Sequence, residues 1–188
     1  MSVIIRDLDV SNVEECILFC HSIEYYSDWY DKEYPKKWRK ELEERIKERI
    51  AWTNNALNEI GSYAKLAYLD GQLAGILWYF PTYWIPYPDP AKNERVVFIQ
   101  CMEVIPKYRR TGIGSALLQN LISSCKRRHH FFLGERAEAI EVYVYSPAKW
   151  PAGSKDFLEK HGFRAKRENI PEMYGSILLR YELDSKGR

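Results

Sequence analysis

The sequence predicts a single α/β domain over residues 1–188, with a mixed, mostly antiparallel central sheet of about seven strands flanked by about four helices. The composition is globular, with 46% hydrophobic and 29% charged residues. Strand and helix patterns follow one another in the order β-α-α-β-β-β-α-β-α-β-β. No linker and no internal repeat interrupts that order, so we expect all the elements to share one core.

The first part of the chain predicts a strand followed by two helices. Residues 3–9 form the strand, and Ser11-Asn12 then offers a cap for a helix that reaches about residue 26. Pro35 opens the second helix. Its apolar residues recur at every fourth position, as Trp38, Leu42, Ile46 and Ile50.

The middle and end of the chain predict a hairpin and then a β-α-β unit. Asp70-Gly71 is a tight-turn dipeptide between strands 62–69 and 72–80. Residues 81–93 contain four prolines and predict a long loop. A buried strand over 94–104, a helix over about 112–128 and a strand over 139–146 form the β-α-β unit. A helix over 154–161 and strands over 163–168 and 175–183 complete the domain.

Charge and cysteine content exclude several classes of protein. The formal charge is +2, from 28 Lys and Arg against 26 Asp and Glu, so no basic field indicates nucleic acid. No stretch approaches the roughly 18 apolar residues of a membrane span, and no signal segment precedes Val3, so we expect no membrane partner and a cytoplasmic protein. The four cysteines form no CxxC pair, which predicts reduced core thiols, with Cys101 and Cys125 isolated, and no metal site.

The most informative stretch joins the strand that ends at Val104 to the helix that begins near Gly112. Arg109 and Arg110 make this turn basic, and glycines occupy positions 112 and 114. The first N–H groups of a helix have no partner within the helix and carry the positive end of its dipole, so they bind phosphate. A glycine lets a ligand approach the backbone closely. This turn therefore predicts a phosphate-binding loop.

Two better-known phosphate loops do not fit. A dinucleotide fingerprint needs a third glycine three residues after the second, and position 117 is Leu. A P-loop needs Gly-Lys-Ser/Thr, whereas Gly114 is followed by Ser115-Ala116.

The pattern Arg109-x-x-Gly112-x-Gly114, with its lead-in Val104-x-Pro106, resembles the acyl-coenzyme A signature of the GCN5-related N-acetyltransferase superfamily. Residues 157–163 resemble that family's second signature, a helix that ends in Gly-Phe. The resemblance implies acetyl transfer from acetyl-coenzyme A, without a metal, to an amine of a small molecule or peptide. It also implies that the central strands, 96–104 and 139–146, splay to admit the thioester.

The resemblance further implies which residues hold the cofactor. Residues 109–114 would cradle the pyrophosphate, and the backbone from Met102 to Val104 would pair with the pantetheine arm. The predicted cofactor residues are Met102, Val104, Arg109, Arg110, Thr111, Gly112, Ile113 and Gly114.

The catalytic residues are less clear because the sequence departs from the family pattern. Leu158 stands where the family usually has a Tyr that protonates the leaving thiolate, and Pro151 stands at the usual Asn. Tyr143 or Tyr145 on the neighbouring strand could take over that role. No acid occurs at positions 96–100, so Glu103 is the first candidate base, with Glu94 and Glu141 as alternatives. Glu103 could equally be a solvated or ion-paired strand residue.

Two aromatic clusters lie in regions that flank the acceptor pocket of the resembled family, near residues 25–38 and 78–87. Glu24, Asp28, Asp31 and Glu33 interleave with the first cluster. Rings and carboxylates together attract a cationic amine, so Tyr26, Asp28, Trp29 and Asp31 are the candidate acceptor residues. Alternatively, the rings pack the core or a homodimer surface.

Two further expectations concern activity and a histidine pair. The departures at Leu158 and at positions 96–100 also fit a module that binds acyl-coenzyme A with little transfer. A longer acyl group is a third possibility. His129 and His130 are adjacent, so we expect their rings to face different ways and to make a poor metal pair.

Overall fold

The computed structural model describes residues 2–20, 36–84, 95–127, 129–144, 154–170 and 176–183. Within these ranges the chain forms one seven-stranded sheet and four α-helices, as predicted. The strands are β1 Val3–Asp7, β2 Ala64–Leu69, β3 Gln72–Pro81, β4 Val96–Val104, β5 Ala139–Val144, β6 Arg164–Ile170 and β7 Ser176–Glu182. The helices are α1 Val13–Cys20, α2 Lys36–Ile60, α3 Ile113–Cys125 and α4 Lys155–Lys160. None of these helices is long and apolar enough to cross a bilayer.

The sheet is mixed and mostly antiparallel. Its strand order is β1-β2-β3-β4-β5-β7-β6. All neighbours pair antiparallel except β4 and β5, which are parallel and are connected through α3. This β-α-β unit is the one that the sequence predicts, because parallel neighbours need a crossover connection.

Helix α3 packs against β1, β2, β3 and β4, and its apolar stripe enters the main core. Leu117, Leu118 and Leu121 are fully buried there, and each burial contributes about 1.5–3 kcal/mol. Gly75 of β3 permits the close approach. A Cβ at this position would lie 2.9 Å from the Glu103 carbonyl oxygen and 3.1 Å from the Ile113 side chain. The helix ends at Cys125, before the predicted residue 128.

The two central strands separate after four paired positions. Among the described residues, the register of β4 and β5 runs from Val96 opposite Ala139 to Ile99 opposite Val142. On its other side, β4 stays paired with β3 as far as Gly75 opposite Val104. The edge of β4 from residue 100 onward therefore faces an opening in the sheet, and the predicted splaying of these strands is confirmed.

A β-bulge in β4 determines which of its side chains lie on each face of the sheet beside this opening. Trp78 pairs with Cys101 and Tyr79 pairs with Ile99, so Gln100 is the extra residue. Residues directly opposite in an antiparallel pair share a face, so the bulge reverses the alternation beyond it. One face then carries Phe98, Cys101 and Glu103, and the other carries Ile99, Met102 and Val104. The second face is the one that meets α3, because Gly75 opposite Val104 approaches Ile113 and Leu117.

Candidate functional site

Hydrogen bonds within the backbone hold the turn from β4 to α3. The Ile105 N–H donates to the Ala74 carbonyl at 3.0 Å, which fixes the end of β4 against the start of β3. A short 3-10 turn follows over Pro106–Tyr108. The Thr111 hydroxyl then donates to the Tyr108 carbonyl at 2.6 Å. The turn is thus shaped by its own bonds before any ligand arrives.

Gly112 caps the N-terminus of α3 in a left-handed conformation, with a φ of 92°. A Cβ at this position would meet nothing within 4 Å, so glycine is needed for the backbone and the space beside it is open. No side chain caps the helix, which leaves its first N–H groups for an anion. This geometry fits the predicted phosphate cradle.

Gly114 differs from Gly112 in its surroundings. A Cβ there would lie 3.6 Å from the Phe157 ring and 4.0 Å from the Val104 side chain. Both distances are ordinary van der Waals contacts, and they point into the junction of β4, α3 and α4. The part that Gly114 plays in ligand binding concerns its backbone and stays a prediction. Its backbone N–H still belongs to the first turn of α3.

The Arg109 side chain is hydrogen-bonded to the end of β4. Its Nε donates to the Val104 carbonyl at 3.2 Å, while the side chain remains exposed beside Gly112. Arg110 follows with a positive φ of 65°, which turns the chain toward α3. The structure thus places both arginines, Thr111 and Gly112 at the surface around the N-terminus of α3.

His161 connects α4 to the first turn of α3, a role that the sequence does not reveal. Its Nδ1 lies 2.8 Å from the Phe157 carbonyl, which can only accept, so Nδ1 carries a proton. In the neutral ring, Nε2 then accepts from the Ser115 hydroxyl at 3.1 Å. This bond fixes the helix whose N-terminus is the predicted cradle.

Glu103 and Cys101 share the face of β4 that lies away from α3. The Cys101 Sγ donates to the Glu103 Oε1 at 3.1 Å, and both side chains are half-buried. Burial raises the pKa of the Cys101 thiol, and the carboxylate raises it further, so the thiol stays protonated and remains a donor. Cys101 is thus a free thiol, as expected, with Glu103 as a hydrogen-bond partner. Glu103 is a carboxylate held in one orientation beside the opening.

The other candidate catalytic positions fall in three different environments. Tyr143 lies just beyond the last pairing of β5 with β4, on the face of Glu103, with its ring 5.4 Å from that of Phe98. Leu158 is completely buried in the main core and carries no proton to donate. Tyr145 and Glu94 lie outside the described residues.

Glu141 is held in buried ion pairs. Its side chain is completely buried, and its Oε1 accepts from Lys166 Nζ and Arg180 Nη1, each at 2.8 Å. A completely buried carboxylate that already contacts two cationic side chains offers no surface to an acceptor amine. Glu103 is thus better suited than Glu141 to act as a base.

The predicted acceptor residues Tyr26, Asp28, Trp29 and Asp31 lie outside the described residues. Part of the second aromatic cluster is described. Trp78 and Tyr79 are buried, so packing in the core accounts for them. The Phe80 ring stacks on that of Tyr63 at 5.0 Å and on that of Trp84 at 5.9 Å. Trp84 is half-buried, and its ring lies 5.9 Å from that of the exposed Trp52.

No group of three or more His, Cys, Asp or Glu side chains that could hold a metal ion occurs within the described ranges. All four cysteines are free thiols.

Comparisons with known proteins bear on this site. The model of the acetyltransferase (GNAT) family matches residues 23–144. The chain also resembles the PaiA N-acetyltransferase of Thermoplasma acidophilum, solved with coenzyme A, at 17% identity and a TM-score of 0.58; 97% of this chain and 99% of that one are covered. A GNAT-family acetyltransferase of Streptococcus pneumoniae gives 16% identity and a TM-score of 0.61, with 97% and 100% covered.

A third structure is yncA of Salmonella typhimurium, solved with its cofactor acetyl-CoA. It is 16% identical, with a TM-score of 0.60 and coverage of 100% of this chain and 98% of that one. No curated protein matches the sequence. At such identities the structures support the shared fold, and the family model supports membership.

Proposed function

The chain belongs to the acetyltransferase (GNAT) family, and from this premise we propose that it transfers an acetyl group from acetyl-coenzyme A to a primary amine. One observation carries the proposal. The edge of β4 that faces the opening leads directly into an uncapped helix N-terminus with open space at Gly112. This arrangement offers an extended backbone for an amide-containing arm and N–H groups for a pyrophosphate in one continuous surface.

The residues of the turn fit the donor molecule. Gly112, Ile113 and Gly114 would present their N–H groups to the pyrophosphate, and the side chains of Arg109, Arg110 and Thr111 surround that position. The β4 backbone from Met102 to Val104 would pair with the pantetheine arm, as an added strand pairs with a sheet edge. When bound, the thioester supplies the activated carbonyl carbon that the acceptor attacks.

The chemistry requires that a proton leaves the acceptor amine. A lysine-like amine with a pKa of about 10.4 is mostly protonated at pH 7, and this costs roughly 4.6 kcal/mol if nothing corrects it. Glu103 would take the proton, directly or through a water molecule. The amine nitrogen then bonds to the carbonyl carbon, and an N–H near Val104 would stabilise the oxyanion. The thiolate leaves with the bonding electrons and takes a proton from Tyr143, Tyr145 or solvent, while the nitrogen releases its second proton to solvent and becomes the amide.

The sequence favours a cationic acceptor, either a small amine or an exposed amino group of a peptide. Asp28 and Asp31 supply negative charge, and Tyr26 and Trp29 supply rings that attract cations. An anionic acceptor would be repelled by these acids. The carboxylate of Glu103, on the face of the sheet away from α3, adds to the same preference.

The test is release of coenzyme A from acetyl-coenzyme A in the presence of cationic, neutral and anionic primary amines, with the acetylated product identified by mass spectrometry. We expect release that depends on the amine and is fastest with cationic amines. Fast release with anionic amines only would contradict the acceptor class. Product without nitrogen acetylation would contradict the proposed bond.

The second candidate function is binding of acyl-coenzyme A without appreciable transfer. The buried Leu158 favours it, because that helix position cannot protonate the thiolate. A thiol with a pKa of about 8.5 is nevertheless a tolerable leaving group near neutral pH, so transfer does not require that acid. Tight binding of acetyl-coenzyme A, with no release of coenzyme A in the presence of any amine of the panel, would support this second function.

A further inference from the structure

A second polar cavity lies at the other end of α3, away from the opening between β4 and β5. It encloses about 260 Å³ between the ends of β1 and α3 and the strands β2 and β3. The described residues that line it are almost all polar or charged, namely Asp7, Lys65, Tyr79, Ser124, Arg127, His129 and His130. With α3 thirteen residues long, the cavity is about 20 Å from the N-terminus of that helix. It is therefore separate from the proposed cofactor site.

Lys65 brings a buried positive charge to this cavity. The residue is 4% exposed in the middle of β2, where every neighbouring position of the strand is also buried. Its Nζ forms an ion pair with the Asp7 carboxylate and donates to the Ser124 hydroxyl at 3.0 Å. The Nζ also lies 5.9 Å from the centroid of the Tyr79 ring. An ammonium group has three N–H donors, so among the described residues its two hydrogen-bonding partners leave one N–H for a ligand.

The two histidines contribute donors and no charge. Burial lowers the pKa of His129 to about 4 and also lowers the pKa of His130, so both rings are neutral near pH 7. The His129 Nδ1 accepts from the Phe131 N–H at 3.4 Å, so Nε2 carries the proton of that ring. The His130 Nε2 donates to the Ser62 carbonyl at 2.8 Å. The His130 proton is therefore engaged by Ser62, and the imidazole donor left for a ligand by these contacts is the His129 Nε2–H.

The sequence led us to expect that the two rings face different ways, and this is not what the structure shows. They stack, with centroids 4.5 Å apart and planes 26° apart. The expectation assumed a helix or strand, whereas His129 precedes a 3-10 turn over His130–Phe132. The close fit of His130 over Gly61 also fixes the pair, since a Cβ on Gly61 would lie 2.7 Å from the His130 ring.

The charges and donors of the lining indicate the class of ligand. Lys65 and Arg127 are positive, Asp7 is the carboxylate among the described lining residues, and Tyr79 is neutral because burial raises its pKa. The net charge near pH 7 is therefore about +1. Ammonium, guanidinium, hydroxyl and imidazole N–H groups are all donors, and a guanidinium matches the geometry of carboxylates and phosphates. The cavity is smaller than the roughly 300 Å³ at which pockets for drug-sized ligands begin.

We propose that this cavity binds a small oxyanion, a phosphate or a carboxylate, between Lys65 and Arg127. The site is independent of the acetyl transfer proposed above, because it shares no residue with the turn at Gly112. A divalent cation is disfavoured, since it would face Lys65 and Arg127 with Asp7 as its carboxylate ligand.

The experiment is thermal unfolding in inorganic phosphate and, in a parallel arm, acetate, at constant pH and ionic strength with chloride as the reference. A ligand that binds only the folded state raises the melting temperature in proportion to its occupancy. We expect phosphate, acetate or both to raise the melting temperature of the wild-type chain. Arg127→Gln should weaken the apparent affinity at least tenfold, and the exposed Arg45→Gln should leave it unchanged.

Two further variants distinguish binding in this cavity from binding elsewhere on the chain. Lys65→Met removes the buried ammonium and should abolish the stabilisation; because Asp7 is then left largely exposed to solvent, we expect the variant to fold. Gly112→Asp places a negative charge in the cradle at the start of α3, and the effect of phosphate should persist in it. Loss of the effect in Gly112→Asp, equal stabilisation of wild type and Arg127→Gln, or no stabilisation by either anion would overturn the proposal.

Discussion

The Cys101 thiol donates a hydrogen bond to the Glu103 carboxylate, with Sγ and Oε1 3.1 Å apart. The alternation of β4 places the two side chains on one face, opposite Trp78 and Ile76 of β3, and the bulge at Gln100 makes this the face of Phe98. Cys101 thus fixes the orientation of the carboxylate that we propose as the base.

Replacement of Glu103 tests that assignment. Glu103→Gln keeps the shape of the side chain and removes its capacity to accept a proton. We expect turnover to fall about 10²–10⁴-fold and the acidic limb of the pH–rate profile to disappear, with little change in the affinity for acetyl-coenzyme A. Steady-state kinetics with the best amine of the panel measures the effect. Near-normal turnover would point to Glu94 or to an amine that needs no base.

Replacement of Gly112 tests the phosphate cradle, and the chain offers a matched control. Gly71 also has a positive φ, 84° against 92°, and a Cβ at either glycine would meet nothing within 4 Å. Asp at each position therefore introduces the same strain and charge. Combined with Arg109→Ala, Gly112→Asp should weaken binding of acetyl-coenzyme A at least tenfold, about 1.4 kcal/mol, by isothermal titration calorimetry. Gly71→Asp should not weaken that binding. Equal affinities for acetyl-coenzyme A in the folded variants would contradict the assignment of the cradle.

Glu141 is expected to matter for stability. Glu141→Gln leaves Lys166 and Arg180 without their buried anionic partner and should lower the free energy of unfolding by about 3 kcal/mol. Glu182 is the matched control, because it also pairs with Arg180 but its side chain is 70% exposed. Glu182→Gln should cost less than about 1 kcal/mol. Urea titrations compare the two variants, and similar small losses in both would show that the buried pair is not a major source of stability.

Because His129 is buried and neutral, we expect the free energy of unfolding to fall in mild acid. Its pKa is about 4 in the folded chain against 6.5 for an ordinary histidine, so the unfolded chain binds the proton more readily. The free energy of unfolding is therefore unaffected by the protonation of His129 above pH 6.5, and it declines as the pH falls from there toward 4. His129→Gln should reduce this decline by an amount on the order of a few kcal/mol, and His130, whose pKa is also lowered, accounts for a decline that remains. The difference between the two unfolding curves across pH 4–7 measures it, and parallel curves would contradict it.

The fold could be predicted from sequence because its determinants are local. The apolar periodicity of α3, the Asp70-Gly71 turn and the Val-Val-Phe-Ile run of β4 each indicate one element, and their order defines the β-α-β unit. The turn at Gly112 is recognisable for the same reason, since the strand, the basic turn and the helix are continuous in sequence.

The remaining features depend on contacts between distant residues. The bulge at Gln100 reverses the alternation of β4, and sequence parity alone would place Glu103 on the face of Ile99. The bond from Ser115 to His161 joins residues 46 positions apart. In the sequence, Lys65 is a charged residue within an otherwise apolar strand. Its partners Asp7 and Ser124 are distant in sequence and are revealed only by the fold. These relationships arise from packing, which no local pattern encodes.

A crystal structure of the chain with acetyl-coenzyme A would test the central claim most directly. We predict pyrophosphate oxygens about 2.7–3.2 Å from the N–H groups of Gly112, Ile113 or Gly114. We also predict the pantetheine arm along the edge of β4 that faces the opening, and the thioester carbonyl beside Val104, within reach of Glu103 through at most one water molecule. Acetyl-coenzyme A bound elsewhere, or a thioester on the far side of β4 from the opening, would contradict this mode of binding.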